Sequence, residues 1–275
     1  MNYQQIEVSI NTQTKAPFFT GSMLRGAMGY ALKKVTCINP SYQCQGCFAQ
    51  SSCLYYNFYE QQNNFHNYRF DIELGSGKFD FGLYLFNDAT ESLAYVLSAL
   101  EMMLTQVGLG KENQTFKDIG IKLNGEEIYD GKEFRSFDAI KQNALQIDSF
   151  CPNVKIKLCT PLRIKKHNKF LRDDVALEDI LRSIYQKEQE FTTDQKAFKL
   201  AYEPSYATAV KALRFQSLVR KSNRQKQKLN MDGMMGEIAV MGLDQESHRL
   251  LRLGEIIGVG KQTVMGLGRI EVVNL

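Results

Sequence analysis

Three features of this 275-residue sequence predict an α+β fold of two tandem ferredoxin-like domains (βαββαβ). The order strand, helix, strand, strand, helix, strand is legible in the first half and recurs in the second. Hydrophobic residues at 44% against charged residues at 23% are enough to build ordinary cores. At roughly 150 residues per domain, the length suits two units rather than one. The boundary is expected near 145–152, giving units 1–148 and 149–275, with a cysteine-rich insertion at 37–53 in the first.

Ile6, Val8 and Ile10 alternate with polar residues at the period of a half-buried strand. A helix follows over about 22–35, with Met23, Leu24, Ala27, Ala31 and Leu32 on one side and Arg25, Lys33 and Lys34 elsewhere. YRFDIEL at 68–74 and KFDFGLYLF at 78–86 read as strands of a hairpin turned by Gly75-Ser76-Gly77. Leu93, Val96, Leu97, Leu100, Met103, Leu104 and Val107 mark the second helix, with Asp88 or Thr90 to start it and Gly108 to end it. The strand at 119–123 meets Asn124-Gly125, a hairpin turn signal.

In the second half, Val154, Ile156 and Leu158 form a strand, and Ile180, Leu181, Ile184 and Tyr185 stripe a helix over 177–187. Leu213, Phe215 and Val219 lie along a strand running to Arg220, which is expected to turn near Asp232-Gly233 and return over 236–241. A short helix at 245–253, with His248 on its exposed side, precedes a last strand at 269–273. The topology is that of RNA-recognition modules, although their aromatic signature has no clear copy here. Topology alone assigns no function.

The net charge is only +4, but its distribution is uneven. Between Pro204 and Met231 lie seven basic residues, Lys211, Arg214, Arg220, Lys221, Arg224, Lys226 and Lys228, and no Asp or Glu. These cations exceed the net charge of the whole chain, so the remainder is net negative. A second acid-free stretch, NVKIKLCTPLRIKKHNKFLR at 153–172, includes His167 as a further candidate contact. Such surfaces suit a polyanion, because each neutralised phosphate releases condensed counterions. The competing reading is a solvated lysine-rich hairpin.

Five of the 20 glycines, 254, 258, 260, 266 and 268, fall in LGEIIGVGKQTVMGLGRIEVV. Such a loop (254–268) can turn amide N–H groups onto phosphate while Lys261 and Arg269 add charge. Alternatively, the glycines serve tight helix-to-strand packing. It is not a P-loop: Gln262 follows Lys261, and Glu255 stands at the first glycine position. A nucleotide triphosphatase is thereby disfavoured.

Cys37, Cys44, Cys47 and Cys53 are spaced C-x6-C-x2-C-x5-C. The central pair can form a knuckle and the outer pair complete a closed tetrahedral site, so structural zinc is the leading expectation. An iron–sulfur cluster and unligated thiols are the alternatives. Four thiolates leave no open position for catalysis. Cys151 and Cys159 read as ordinary half-buried residues. Seven aromatics between Leu54 and Phe70 read mostly as core, with base stacking as the other reading. No apolar run reaches the length of a membrane span, and the start of the chain lacks signal-peptide features, so a soluble cytoplasmic protein without membrane contact is expected.

RKSNRQ at 220–225, DGMMGEI at 232–238 and GVGKQTVMGLGRIEV at 258–272 resemble the C-terminal domain of CRISPR-associated precursor-RNA processing endoribonucleases of the RAMP superfamily. FTGSMLRGAMGYALKK at 19–34, followed by clustered cysteines, resembles the start of a cysteine-bearing branch of that family. The resemblance is most specific in the last 60 or so residues, and most of 100–200 adds little to it. It implies a metal-independent enzyme that cuts CRISPR repeat RNA into guide RNAs, leaving 2′,3′-cyclic phosphate and 5′-hydroxyl ends.

The resemblance points to Arg220, Lys221, Arg224, Gln225 and Lys226 as RNA contacts in the hairpin. In the terminal loop it points to Gly258, Gly260, Lys261, Thr263, Gly266 and Gly268. Relatives often place a catalytic histidine on or soon after the first helix, with Tyr and Lys nearby. None of the three histidines here lies on that helix. His66 is the nearest and the leading candidate for acid or base, against the alternative of a loop histidine without catalytic work. Tyr30, Lys33 and Lys34 are candidates to orient the 2′-hydroxyl and stabilise phosphate, although an amphipathic helix routinely exposes lysine and buries tyrosine. Many relatives carry histidine where this chain has Gly258, so that role does not transfer. A non-catalytic RNA-binding subunit of a CRISPR effector complex is the competing function, and a homodimer is left open.

Overall fold

The computed structural model describes residues 1–61, 65–146, 149–193, 197–222 and 227–275, with backbone alone at 220–222 and 227–228. The chain divides into two compact units, Met1–Ala144 and Leu145–Leu275.

In the first unit the order is β1 (Asn2–Ile10), α1 (Gly21–Thr36), β2 (Tyr68–Asp71), β3 (Phe81–Phe86), α2 (Leu93–Met102), β4 (Ile119–Leu123), β5 (Glu126–Tyr129) and β6 (Asn143–Ala144). The sheet runs β2-β3-β1-β4-β5, and β6 also pairs with β1. Ile6, Val8 and Ile10 face α1 and α2, whose Leu24, Met28, Leu32, Val96, Leu97 and Leu100 complete a buried core. α2 passes into a π-helical turn at Met103–Val107 and stops at Gly108, whose positive φ of 77° ends the helix as expected.

The expected hairpin at Gly75-Ser76-Gly77 needs correction. β2 and β3 are joined by a longer connection because Asp71 is already paired with Gly82. Gly75 N–H donates to Phe18 and Gly77 accepts from Ala16, while Asp80 accepts from Ile10 N–H at 2.8 Å. These bonds draw the connection onto the loop after β1 and away from the ladder.

In the second unit the order is β7 (Val154–Leu162), β8 (Lys165–Lys166), β9 (Lys169–Phe170), α3 (Leu177–Thr193), β10 (Thr208–Gln216), β11 (Val219–Ser222), β12 (Gln227–Asn230), β13 (Gly233–Met241), α4 (Gln245–Ile257) and β14 (Ile270–Asn274). The sheet order β10-β13-β7-β14 repeats that of β2-β3-β1-β4, so both units are ferredoxin-like. Asp244 caps α4 by accepting from Ser247 N–H at 2.8 Å.

The predicted turn at Asp232-Gly233 is also corrected. There the chain enters the main sheet, with Gly233 opposite Gln216, and the segment before it forms a separate two-stranded arm, β11 and β12. The small β8–β9 hairpin was not expected from the sequence. His248, expected on an exposed side, is only 1% exposed. Among the described residues, no helix is long and apolar enough to cross a membrane.

Candidate functional site

In the second unit the basic segments converge on Arg163, just beyond the end of β7. Its carbonyl accepts from Lys261 N–H at 2.9 Å, which anchors the glycine-rich loop. Its Nη1 donates to the Asp232 carbonyl at 2.5 Å, at the root of the arm. The guanidinium lies 4.2 Å from the centre of the Phe170 ring on the β8–β9 hairpin. Asp232 closes the arm's root by accepting from Leu218 N–H at 2.8 Å. One buried residue therefore joins the loop, the arm and the small hairpin, which is how three sequence-distant stretches come to share one region.

The terminal loop does not offer its glycine amides to a ligand, which corrects that part of the expectation. Gly258 N–H donates to Gly254, Gly266 to Thr263 and Gly268 to Pro161, and Gly260 donates to Ser183 Oγ at 2.9 Å. Gly268 has φ 70°, and a Cβ added there would lie 1.8 Å from the Val259 carbonyl oxygen. These glycines serve close packing. Thr263 Oγ1 accepts from the buried Lys187 at 3.1 Å. Lys261 is exposed, whereas Arg269 is half-buried and its N–H donates to Thr160 Oγ1. In the arm, Arg220 and Lys221 are described by backbone only. Arg224, Gln225 and Lys226 lie outside the described residues.

In the first unit, Arg25, Gly29 and Lys33 form an i, i+4, i+8 stripe on α1 facing the aromatic segment. Arg25 lies over the Tyr59 ring at 4.6 Å and Lys33 Nζ over Tyr55 at 4.8 Å. Tyr55 and Tyr59 stack at 5.3 Å, and Tyr59 Oη donates to the Arg25 carbonyl. Gly29 makes room for this packing, since a Cβ there would meet Tyr59 at 2.7 Å. Burial pushes the Tyr59 and Tyr68 hydroxyls above their ordinary range, so both remain protonated.

His66 sits half-buried at the edge of this cluster, its ring centroid 5.9 Å from that of Tyr68. Burial, and then the Arg25 charge, lower its pKa, so the neutral imidazole prevails at pH 7. Nδ1 lies 3.4 Å from the Asn57 carbonyl oxygen. A carbonyl only accepts, so this contact favours the proton on Nδ1 and leaves the Nε2 lone pair available.

The four predicted catalytic residues fall into two groups on different faces. His66 belongs with Arg25, Tyr59 and Tyr68, and Lys33 with Tyr55. Tyr30 and Lys34 pair with each other, Nζ 4.9 Å from the ring, and Tyr30 is 56% exposed. Sequence reasoning missed the Arg25 role; its signal was the four-residue spacing to Gly29 and Lys33. It also missed Arg163 and Lys187, which look like surface cations in the sequence.

Most of the aromatic segment is core or part-buried. Phe58, Tyr68 and Phe70 are fully enclosed, and Tyr55, Tyr56 and Tyr59 are half-buried. Cys37, Cys44, Cys47 and Cys53 are half-buried free thiols. Gly46, with φ 69°, helps turn the chain so that Cys47 N–H reaches the Cys44 carbonyl, as a two-cysteine knuckle requires. Among the described residues, no three His, Cys, Asp or Glu side chains are gathered as a metal-holding group. The donor set and the turn fit a metal, but the thiols are not converged.

Comparison with known proteins matches residues 1–143 to the AF_1859_N family, an N-terminal domain, and residues 156–270 to the CRISPR-associated endoribonuclease Cas6 family. No curated protein matches the chain. Among solved structures, a Cas6 (TTHB231) product complex aligns with TM-score 0.58 and 15% identity, over 99% of each chain. Thermus thermophilus Cas6 (TTHB231) gives 0.55 and 14%, over 99% of this chain and 98% of that one. A Cas6 (TTHA0078) product complex gives 0.55 and 12%, over the whole of both. At these identities the likeness is one of fold.

Proposed function

We propose that this chain, which belongs to the AF_1859_N family and matches the CRISPR-associated endoribonuclease Cas6 family over residues 156–270, cuts CRISPR repeat RNA into guide RNAs without a catalytic metal. The observation that carries this reading is the convergence of the arm, the small hairpin and Lys261 on Arg163. Lys165, Lys169 and Lys261, exposed on the small hairpin and the loop, are cations of the kind that a sugar–phosphate chain requires. Arg220, Lys221, Arg224, Gln225 and Lys226 are assigned to RNA along the arm and Lys261 beside it, while the loop glycines shape the support.

In the proposed step, the 2′-hydroxyl oxygen attacks the adjacent phosphorus as the bond from phosphorus to O5′ breaks. His66 Nε2 takes the 2′-hydroxyl proton, and a water delivers a proton to O5′. The products are a 2′,3′-cyclic phosphate and a 5′-hydroxyl. Lys33, on the side of α1 that faces the aromatic cluster bordering His66, offsets charge on the crowded phosphate, while Tyr30 and Lys34, paired on another face, stand outside the step. The lowered His66 pKa suits a base, since the imidazole is already unprotonated at neutral pH. We further propose that zinc, bound by the four cysteines, holds the loop after α1 in place and takes no part in the step. Action on intracellular RNA places the enzyme in the cytoplasm.

The test is incubation of the purified chain with the repeat RNA of its neighbouring array in excess EDTA. Cleavage at one position with a cyclic-phosphate end is expected. Binding without cleavage would overturn the enzymatic reading and leave an RNA-binding subunit.

A further inference from the structure

The β8–β9 hairpin has two unlike faces. Its turn is His167-Asn168, both with positive φ, and Lys165 stands directly across from Phe170. The two-residue period puts Arg163, Lys165, Phe170 and Arg172 on one face. On the other, Ile164 is buried and Lys166 is paired with the buried Asp179 at 3.4 Å. The first face has cations packed on rings: Arg163 at 4.2 Å and Lys165 at 5.0 Å from the Phe170 centre, and Arg172 at 5.4 Å from that of Phe215 on β10.

Among the described residues, no carboxylate pairs with Lys165, Lys169 or Arg172. Two nearby acids are paired elsewhere, Asp174 with Lys211 at 2.7 Å and Asp179 with Lys166 and Arg182. Arg163 is 6% exposed, and its Nε has no hydrogen-bond partner among the described residues. Burial lowers its pKa; the Asp232 charge opposes this, and the Arg172 charge adds to it. Lys165 and Arg172, without a carboxylate partner among the described residues, leave this face able to take an anion from outside. Phe215, 40% exposed, adds a ring with room for a base.

We propose that this face, Lys165, Phe170 and Arg172 with Phe215 beside it, is a second contact surface for an RNA strand. It continues the arm's contacts through Arg163. The inference rests on the RNA-processing reading and deepens it: the substrate crosses the small hairpin as an unpaired strand, with phosphates on the cations and a base on Phe215.

The probe is a fluorescently labelled 2′-O-methyl copy of the repeat RNA, which cannot be cut because attack needs a free 2′-hydroxyl. Affinity is measured against salt for the wild type, for K165A/R172A, for R220A/R224A, and for the charge-matched control K15A/K117A. The control residues are exposed lysines of the first unit. The hairpin variant should bind roughly tenfold more weakly near physiological salt, and its log–log salt slope should be shallower by about 1.4. The control should match the wild type, and K165E/R172E should bind more weakly than the neutral variant. If the hairpin variant matches the control while the wild type binds and R220A/R224A weakens, the second surface is overturned and the RNA-processing reading stands. If the wild type binds no RNA, both fall.

Discussion

Lys187 Nζ lies 3.0 Å from the Gly258 carbonyl oxygen, at the C-terminus of α4. It also donates to the Ile257 carbonyl at 3.2 Å and to Thr263 Oγ1 at 3.1 Å, so one buried ammonium holds the helix end and the terminal loop together. A cation at this end of a helix is favoured by the peptide dipoles and by carbonyls that lack helical partners.

Lys187→Met keeps the apolar stem and strands those acceptors. Leaving buried carbonyls unpaired costs about 1–3 kcal/mol. The expected result is a lower urea midpoint for the second unit. An unchanged midpoint would show that the loop is held without the ammonium.

His66→Ala should reduce cleavage by roughly 100-fold or more, the scale of one acid–base group, with RNA affinity nearly unchanged. Unaltered cleavage would remove His66 from the mechanism. As a base, His66 makes the rate rise with pH through a pKa below 6.5 and level off above it. Arg25→Met removes a cation that disfavours the imidazolium, so the acid limb of the rate profile should move to higher pH. A limb that stays in place would break the link between Arg25 and His66.

His248 has both ring nitrogens buried without a hydrogen-bond partner among the described residues, beside the Phe150 ring at 5.6 Å. Burial, and then the Arg252 charge, hold its pKa below the ordinary 6.5. The unfolded chain therefore takes up this proton first, so stability is undiminished above about pH 6.5 and falls as the pH drops below it. His248→Phe should flatten this acid loss without lowering stability at pH 7.5. Urea midpoints at pH 7.5 and 5.5 provide the comparison, and an equal acid loss in both proteins would contradict it.

Elemental analysis of the purified chain should find about one zinc per molecule, as four cysteine ligands would hold. Cys44→Ser with Cys47→Ser should remove it and speed proteolysis within 37–53. A metal-free wild type would end the zinc proposal.

The fold was legible where the hydrophobic period was unbroken. Ile6, Val8 and Ile10, the α2 stripe and the Asn124-Gly125 turn all lie where the pattern put them. Turns governed by distant partners were less legible. Nothing local in Gly75-Ser76-Gly77 announces its bonds to Phe18 and Ala16, and Asp232-Gly233 has the composition of a turn but serves as a joint. The same limit applies to the candidate site. Charge runs identified the arm, but Lys187 and Arg163 could not be told from solvated cations, because their burial depends on packing against Ile257, Thr263 and Phe170. The glycine cluster was noticed for the right reason and assigned the wrong work, since Gly268 is required by the nearness of the Val259 carbonyl.

The arm's own ladder begins only after the last pair of the main sheet, Gln216 with Gly233, with Asp232 fastening the junction. Its sequence is therefore separable from the register of the domain beneath it. On the RNA-processing proposal, exchanging residues 219–230 for another two-stranded segment, with Leu218 and Asp232 retained, should change the transcript bound while the scaffold is inherited intact.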